Sequence, residues 1–495
     1  MKSYRPFTPD QTYLLPPSPR EWLPAGHLAY FVLDLVRELD LSHIEDVLQA
    51  KDARGERSYS PTMMVALIVY AYSTGVFSSR RIERATVEDV AFRFLSAGEH
   101  PHFTTINGFR STHREALADL FGQVLAACMS AGLVKLDHVA IDGTKMKANA
   151  SKHKAMSYER MIKDDARLRA EVEALLRQAE ETDAAEDAAE GTYDPQEEIR
   201  RREERLKKMA EVKEALRRET AAKRAARLEE QAAELRRKAT EPTTSPRDQK
   251  GFVTIAANRE QQALALKPAD SGDDDDDDSH DDLPRNTPPS TPSGEPQPKA
   301  QRNFTDPQSR IMFRDGAFLQ AYNGQIAVDE ANQIIVAAAL SNQGPDAEYF
   351  EPMLRRVVVN CQAAPLRVTA DAGYFSPANV RAAESLGAEP FIAVGGQRRD
   401  GLPDEESRPI NARSIAAQAM NAVLRTEQGH AAYARRKATV EPVFGQIRSC
   451  RGYRQVSFRG LFKNRCEWLL VCATHNLLKL WRAMTRATTA LPAAA

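Results

Sequence analysis

The chain reads as a mixed α/β protein, a sheet with helices on both faces, with an all-α segment before it and a long helical hairpin inserted into it. Three observations predict this class. Two short runs of apolar and β-branched residues each end on an aspartate followed closely by glycine, HVAIDGT at 138–144 and LRVTADAG at 366–373. Such runs read as buried strands that deliver a carboxylate at their end. Residues 26–132 carry apolar positions at helical spacing between proline and glycine punctuation. From residue 156 the composition turns to long amphipathic runs, with Met161, Leu168 and Val172 in one and Leu206, Met209, Val212 and Leu216 in the next. That is the pattern of an antiparallel helical hairpin or coiled coil.

Taken in order, residues 1–25 hold six prolines and read as an extended arm. Helices are expected over 27–50, from Ser60-Pro61 to Gly75, over 79–85 and over 87–95. A further helix, capped by Thr104 or Thr105 and running to about residue 129, carries Arg110 and Arg114. This 26–132 segment is either a helix-turn-helix reader of DNA or a plain helical bundle. Residues 133–155 begin the second domain, with a strand over 136–142 and then Lys145, Lys147, Lys152 and Lys154, placed where phosphates would sit beside a metal-binding acid. The helical insert fills 156–240.

Residues 241–302 are poor in apolar side chains and rich in Pro, Ser and Asp, including an unbroken Asp273 to Asp278 run. By composition this is a disordered acidic linker. The second domain resumes over 303–484. Strands are expected at 310–322 and 324–329, joined by a turn at Asn323-Gly324, then at 333–340, 366–371 and 390–394, with helices at 346–357 and 377–386. Residues 485–495 read as a disordered tail.

A length of 495 residues implies two or three folded units, and 42% hydrophobic residues suffice for a sizeable core. The net charge of -1 conceals segregation, since residues 431–482 hold eleven Lys or Arg against two acids. Five scattered cysteines form no disulfide framework and suit a reducing compartment. Cys466, Cys472 and His475 lie in an apolar helical run and read as core packing rather than a zinc site. No signal peptide and no membrane span is visible, so a cytoplasmic location is expected.

A third acid stands in the basic segment AYARRKATVEPVFGQIRSCRGYR at 432–454. Thr439 is a plausible N-cap with Pro442 in the first turn, so Glu441 is expected near a helix start with Arg448 on its face.

Two strand-borne aspartates followed by a helix-borne glutamate resemble the DDE transposases of bacterial insertion sequences, over roughly residues 25–482 apart from the insert and linker. The Lys437-x3-Glu441-x6-Arg448 spacing is similar to the YREK signature, Tyr-x2-Arg-x3-Glu-x6-Lys, of one large branch. Here lysine stands for arginine and arginine for lysine, and Ala434 fills the tyrosine's slot, with Tyr433 one position early. Phe304-Thr305-Asp306-Pro307, Tyr322-Asn323-Gly324-Gln325, Ala370-Asp371-Ala372-Gly373-Tyr374-Phe375 and Val440-Glu441-Pro442-Val443-Phe444-Gly445 are similar to the branch labelled IS eleven-eighty-two.

The resemblance implies an RNase H-like catalytic sheet with Asp142, Asp371 and Glu441 as catalytic metal ligands. Asp142 would be shared by two Mg²⁺ ions, with Mn²⁺ as a substitute. It implies double-stranded DNA as partner, both terminal inverted repeats and target, a homodimer on paired ends, and neither a membrane nor a nucleotide cofactor. Lys437, Arg448, Arg435, Arg436, Arg451, Arg454, Lys145 and Lys147 are expected on phosphates, and Arg110 and Arg114 on the terminal repeats. A metal-dependent nuclease on the same fold and a catalytically silent DNA-binding scaffold are the alternatives.

Overall fold

The computed structural model describes residues 18–50, 58–151, 155–183, 195–241, 245–267, 283–394 and 415–490. The arm before residue 18, Lys152, Lys154, the turn of the insert, the Asp273 to Asp278 run and the last five residues lie outside them.

Among the described residues eight helices precede the first strand: α1 (Pro19–Trp22), α2 (Leu28–Glu38), α3 (Ser42–Gln49), α4 (Pro61–Ser73), α5 (Ser79–Glu88), α6 (Val90–Leu95), α7 (Phe103–Thr112) and α8 (Arg114–Ser130). The helix α1 falls inside the stretch expected to be an extended arm. Proline opens α4 at a position where no N–H is required, and the helix is buried from Met64 to Ser73. Gly75 follows at φ +82°, and a Cβ there would lie 2.5 Å from the carbonyl oxygen of Arg451. Glycine is what lets the two halves of the chain approach so closely. The single helix expected from Thr104 to about residue 129 is two helices. His102 caps α7 by accepting from the Thr104 N–H, and His113, at φ -104° and ψ 27°, breaks the run before α8.

The strands are β1 (Val139–Lys147), β2 (Ala155–Ser157), β3 (Gln301–Asn303), β4 (Arg310–Arg314), β5 (Ala317–Asp329), β6 (Ile334–Ser341), β7 (Arg367–Ala370) and β8 (Glu389–Ile392). The β2 and β3 strands pair separately, and the main sheet runs β6-β5-β1-β7-β8 with β4 also on β5. The β5 strand is antiparallel to β1 and β6, whereas β1, β7 and β8 are mutually parallel.

Two glycine signals expected to be turns lie within strands. Asp142-Gly143 is continuous with β1, where a Cβ on Gly143 would meet the Gln325 amide at 2.4 Å. Asn323-Gly324 is continuous with β5, where Gly324 makes room for the Trp468 ring, 3.2 Å from a Cβ placed there. The hairpin turn is Asp315-Gly316, with φ +51° and +78°, the left-handed pair that a two-residue connection demands.

The remaining helices are α9 (Tyr158–Asp183), α10 (Pro195–Ala239) and α11 (Pro246–Leu266) of the insert, then α12 (Phe350–Cys361), α13 (Pro377–Ser385), α14 (Ile415–Arg425), α15 (Glu427–Gly445) and α16 (Leu461–Ala490). The α11 helix occupies the expected disordered linker. Ser245 caps it, Arg236 of α10 holds Glu260 through two 2.7 Å bonds, and buried Ala256 and Ala263 allow close packing. The low average misleads because it pools this helix, with Phe252, Val253, Ile255 and Leu264, with the Asp-, Pro- and Ser-rich sequence after it. Part of the expected tail, up to residue 490, is likewise helical.

The two sheet faces are distinguished by alternation along β5: Gly324 meets Trp468 of α16, while Gln325 reaches Tyr374 and Asp346 on the α12 and α13 side. One hydrophobic core extends from Leu28 through the sheet to Leu480, because α16 packs on β6 as well as on α4 and α8. Among the described residues no helix is long and apolar enough to cross a membrane.

The segment holding Glu441 departs from expectation. Thr426, not Thr439, caps α15, which places Pro442 inside the helix and Glu441 in its last turn. Proline lacks the N–H that would bond the Ala438 carbonyl, and the Gln333 amide donates to that oxygen instead, at 3.0 Å. A π-helical turn, Gln446–Cys450, follows at once.

Candidate active site

The β1 and β7 strands pair in parallel from Val139 opposite Val368 to Ile141 opposite Ala370. The next residue on each is an aspartate. Asp142 and Asp371 therefore emerge beside one another where the two strands part.

Asp142 accepts from the Gly143 N–H at 2.8 Å through one oxygen and is ion-paired through the other with Arg436 Nη1 at 2.9 Å. Burial pushes its carboxyl up to about 6; Arg436 opposes this and the Asp371 charge adds to it. Asp371 accepts from the Gly373 N–H at 2.9 Å. Burial raises this acid too, Arg436 pulls it back, and Asp346 pushes it further up. Two half-buried carboxylates lie in the field of one guanidinium, which touches only Asp142, so the negative charge is not fully balanced, and oxygen donors of this kind suit a hard divalent cation.

Arg436 also sits 5.9 Å from the centre of the Tyr433 ring. Tyr433 and Arg436 thus stand together at the Tyr-x2-Arg spacing, one position earlier than the alignment that put Lys437 in the arginine's slot. Expected to contact phosphate, Arg436 is instead buried against Asp142. Glu441 and Lys437 are both exposed on α15, and Glu441 lies about 140° around the helix from Arg436. Among the described residues no three His, Cys, Asp or Glu side chains converge as a metal-binding group.

Lys145 does not stand open for phosphate. Its ammonium donates to the Gly344 carbonyl at 2.6 Å and pairs with Asp346 at 3.0 Å. Asp346 also accepts from Asn323 at 2.7 Å and from Gln325 at 2.9 Å, and Gln325 accepts in turn from the buried Tyr374 hydroxyl. This network ties β1 and β5 to the turn that carries Asp371. Sequence reasoning assigned it no role, although Asn323, Gln325 and Tyr374 lay in stretches already singled out. The Asn323-Gly324 turn reading hid their side chains.

Of the other expected DNA contacts, Arg448 donates to Thr144 Oγ1 at 3.2 Å, while Lys147 and Arg454 are exposed. Arg435 is 62% exposed and pairs with Glu330 at 3.1 Å. Arg114 lies over the Phe462 ring at 5.3 Å. Two expectations are corrected by burial. Arg110 is 4% exposed, ion-paired with Glu467 at 3.0 Å and bonded to the Tyr72 hydroxyl. Arg451 is 8% exposed and donates to Thr474 at 2.7 Å, and burial pushes it down to about 10. Neither side chain has surface to offer a phosphate.

Residues 291–477 match a family model described as Transposase DDE domain, and residues 17–112 one described as Transposase domain (DUF772). The two matches together span more than half of the chain. No curated protein and no solved structure matches it. The chain belongs to the transposases with a DDE domain, the kind typical of bacterial insertion sequences. The DDE-domain match takes in Asp371 and Glu441 but begins beyond Asp142, which sheet pairing sets beside Asp371.

Proposed function

We propose that this transposase binds the ends of an insertion sequence and carries out metal-dependent DNA cleavage and strand transfer with Asp142, Asp371 and Glu441. The observation that carries the reading is the register that ends at Ile141 and Ala370 and leaves two half-buried aspartates adjacent. The strand order, with β5 alone antiparallel among β6-β5-β1-β7-β8, supports an RNase H-like sheet.

Asp142 and Asp371 would hold Mg²⁺, or Mn²⁺ in its place, and Glu441, on the helix that packs on β1 and β7, would turn in to supply a third carboxylate. Such ions, when bound, stabilise the attacking and leaving oxygens of a phosphodiester. The chain's own part is to place these acids. Arg436 orients Asp142 and partly offsets its charge. Arg448, fixed on Thr144, lies with Arg454 and Lys147 along the path of the DNA backbone, and Lys437 and Arg435 extend it on α15. Contacts of this type give affinity that falls steeply with salt and carry no base information. Strand transfer exchanges one phosphodiester for another, so no nucleotide cofactor is required. A homodimer on paired ends, in the bacterial cytoplasm, completes the proposal.

The test is cleavage of a labelled duplex carrying the element's end, with Mg²⁺, by wild type and Asp142→Asn. Metal-dependent nicking that the substitution abolishes while DNA binding survives is expected. Binding without nicking by wild type in Mg²⁺ and Mn²⁺ at several salt concentrations would overturn the catalytic reading.

A further inference from the structure

We propose that a polar cavity beside β4 binds a backbone phosphate of the DNA flanking the scissile bond, a proposal that rests on the transposase reading above. The cavity holds about 190 Å³ between β3, the β4–β5 hairpin and residues 286–289. Lys299, Gln301, Arg302, Arg310 and Gln320 line it, and no carboxylate does among the described residues. Gln320 is 4% exposed, and its Oε1 accepts from Ser309 Oγ at 3.0 Å. Its amide nitrogen has no hydrogen-bond partner among the described residues. That nitrogen is not sealed from solvent, so it opens on the cavity that the residue lines. A donor held in such a place is a cost to the fold that a ligand oxygen removes.

The wall is preformed. Arg302 and Arg310 both pair with Glu219 of α10, and Arg310 also donates to the Asn286 carbonyl at 3.2 Å and to that of Pro307 at 2.8 Å. Lys299 is exposed and has no ion-pair partner among the described residues. A rigid wall of N–H donors, three of them on cationic side chains, with no lining acid to repel an anion, selects a phosphate.

Register places the cavity on the face of the sheet where Asp142 lies. Residues opposite one another on β1 and β5 share a face, as Asp142 does with Ile326 and Met146 with Tyr322. The pairing runs one step further, where the Ala148 N–H donates to the Gln320 carbonyl at 2.9 Å. Ala148 lies six residues beyond Asp142 in the chain. That span is roughly 20 Å at ~3.4 Å per residue. Along it stand Arg448 on Thr144, exposed Lys147, and Arg459, whose Nε donates to the Asn149 carbonyl at 3.4 Å. A duplex lying on this row presents a phosphate of each strand every ~3.4 Å of its axis, so the cavity takes one about six base pairs from the cut. The row of cations leading to the cavity is what favours a DNA phosphate over an isolated anion.

The full-length chain, in the Asp142→Asn form so that no cutting intervenes, is titrated with duplexes carrying the element's end, in which one phosphate at a time is a neutral methylphosphonate. Replacement about six base pairs from the cut weakens binding by the parent about tenfold. Gln320→Met/Lys299→Ala binds the unmodified duplex about tenfold more weakly. For this double variant the same replacement costs less than about twofold, while replacements elsewhere cost what they cost the parent. Lys299→Ala alone lowers the salt slope of binding by about one. Methionine keeps the volume of Gln320, and if that variant fails to fold, the surface change at Lys299 still decides the coupling. Equal sensitivity of variants and parent at every position would overturn the proposal. So would inorganic phosphate binding by the DNA-free chain that the double variant loses with its DNA affinity unchanged, which would make the cavity a site for a free anion. Wild-type nicking of the unmodified duplex is read separately: its absence with the coupling intact would sink the catalytic reading and leave this one standing.

Discussion

Asp142 meets two opposing requirements: it has to be ionised to hold a cation, and it sits where ionisation is costly. Its carboxyl is raised from 3.8 to about 6, chiefly by burial. Between those values the folded chain binds more protons than the unfolded one, so this group's contribution to stability falls as pH rises from about 4 to about 6 and stays low above. Asp142→Asn removes the penalty. In chelator, melting curves should show the variant gaining on wild type across that window, by about 1–3 kcal/mol at pH 7.5 at about 1.4 kcal/mol per pKa unit. A variant that loses stability at pH 7.5 would mean that the Arg436 pair outweighs burial. Metal-dependent activity should fall on the acid side of about pH 6, as ligation needs the carboxylate. Glu441 is exposed near the end of α15, and Glu441→Gln should abolish nicking with melting behaviour unchanged.

At the scale of elements, α15 shows how a tertiary contact rescues a local fault. The missing N–H of Pro442 leaves the Ala438 carbonyl to Gln333, which reaches it from the turn between β5 and β6. Gln333→Ala should cost about 1 kcal/mol of stability. In Pro442→Ala, where a backbone N–H returns, the same change should cost measurably less, and urea denaturation of the four proteins of this cycle decides it. Additive losses would show that the amide does not substitute for the helix bond. Most strands and helices of the catalytic half were legible, because burial patterns of period 2 and 3.6 are local. Turns were less so: Asn-Gly at 323–324 carries a hairpin signal as strong as Asp-Gly at 315–316. What separates them is Trp468, more than 140 residues away in sequence, lying against Gly324. Thr439 was read as a cap on sound local grounds and lost to an earlier cap at Thr426.

For the whole molecule, the buried set of Arg110, Tyr72, Tyr453 and Glu467 joins α4 and α7 to α16. Glu467 also accepts from the Ser457 N–H at 2.7 Å. Arg110→Met leaves a buried carboxylate without its cation and should destabilise by about 3–5 kcal/mol, with part recovered in Arg110→Met/Glu467→Gln. DNA affinity, measured at a temperature where both remain folded, should stay within twofold of wild type, because Arg110 has no exposed charge to lose. A salt-dependent loss of affinity would return Arg110 to the DNA surface.

The sequence by itself determined the mixed α/β class, the long helical insert, the strands that precede Asp142 and Asp371 and the basic character of the segment around Glu441, since each depends on neighbours within one element. Tertiary structure decided which side chains meet. It set Asp142 beside Asp371 through a pairing across more than 200 residues, gave Arg436 rather than Lys437 to Asp142, and withdrew Arg110 and Arg451 into the core. The physical reason is that burial and pairing are properties of the packed chain. A charged residue looks alike in sequence whether its partner is a phosphate in solvent or a carboxylate in the core.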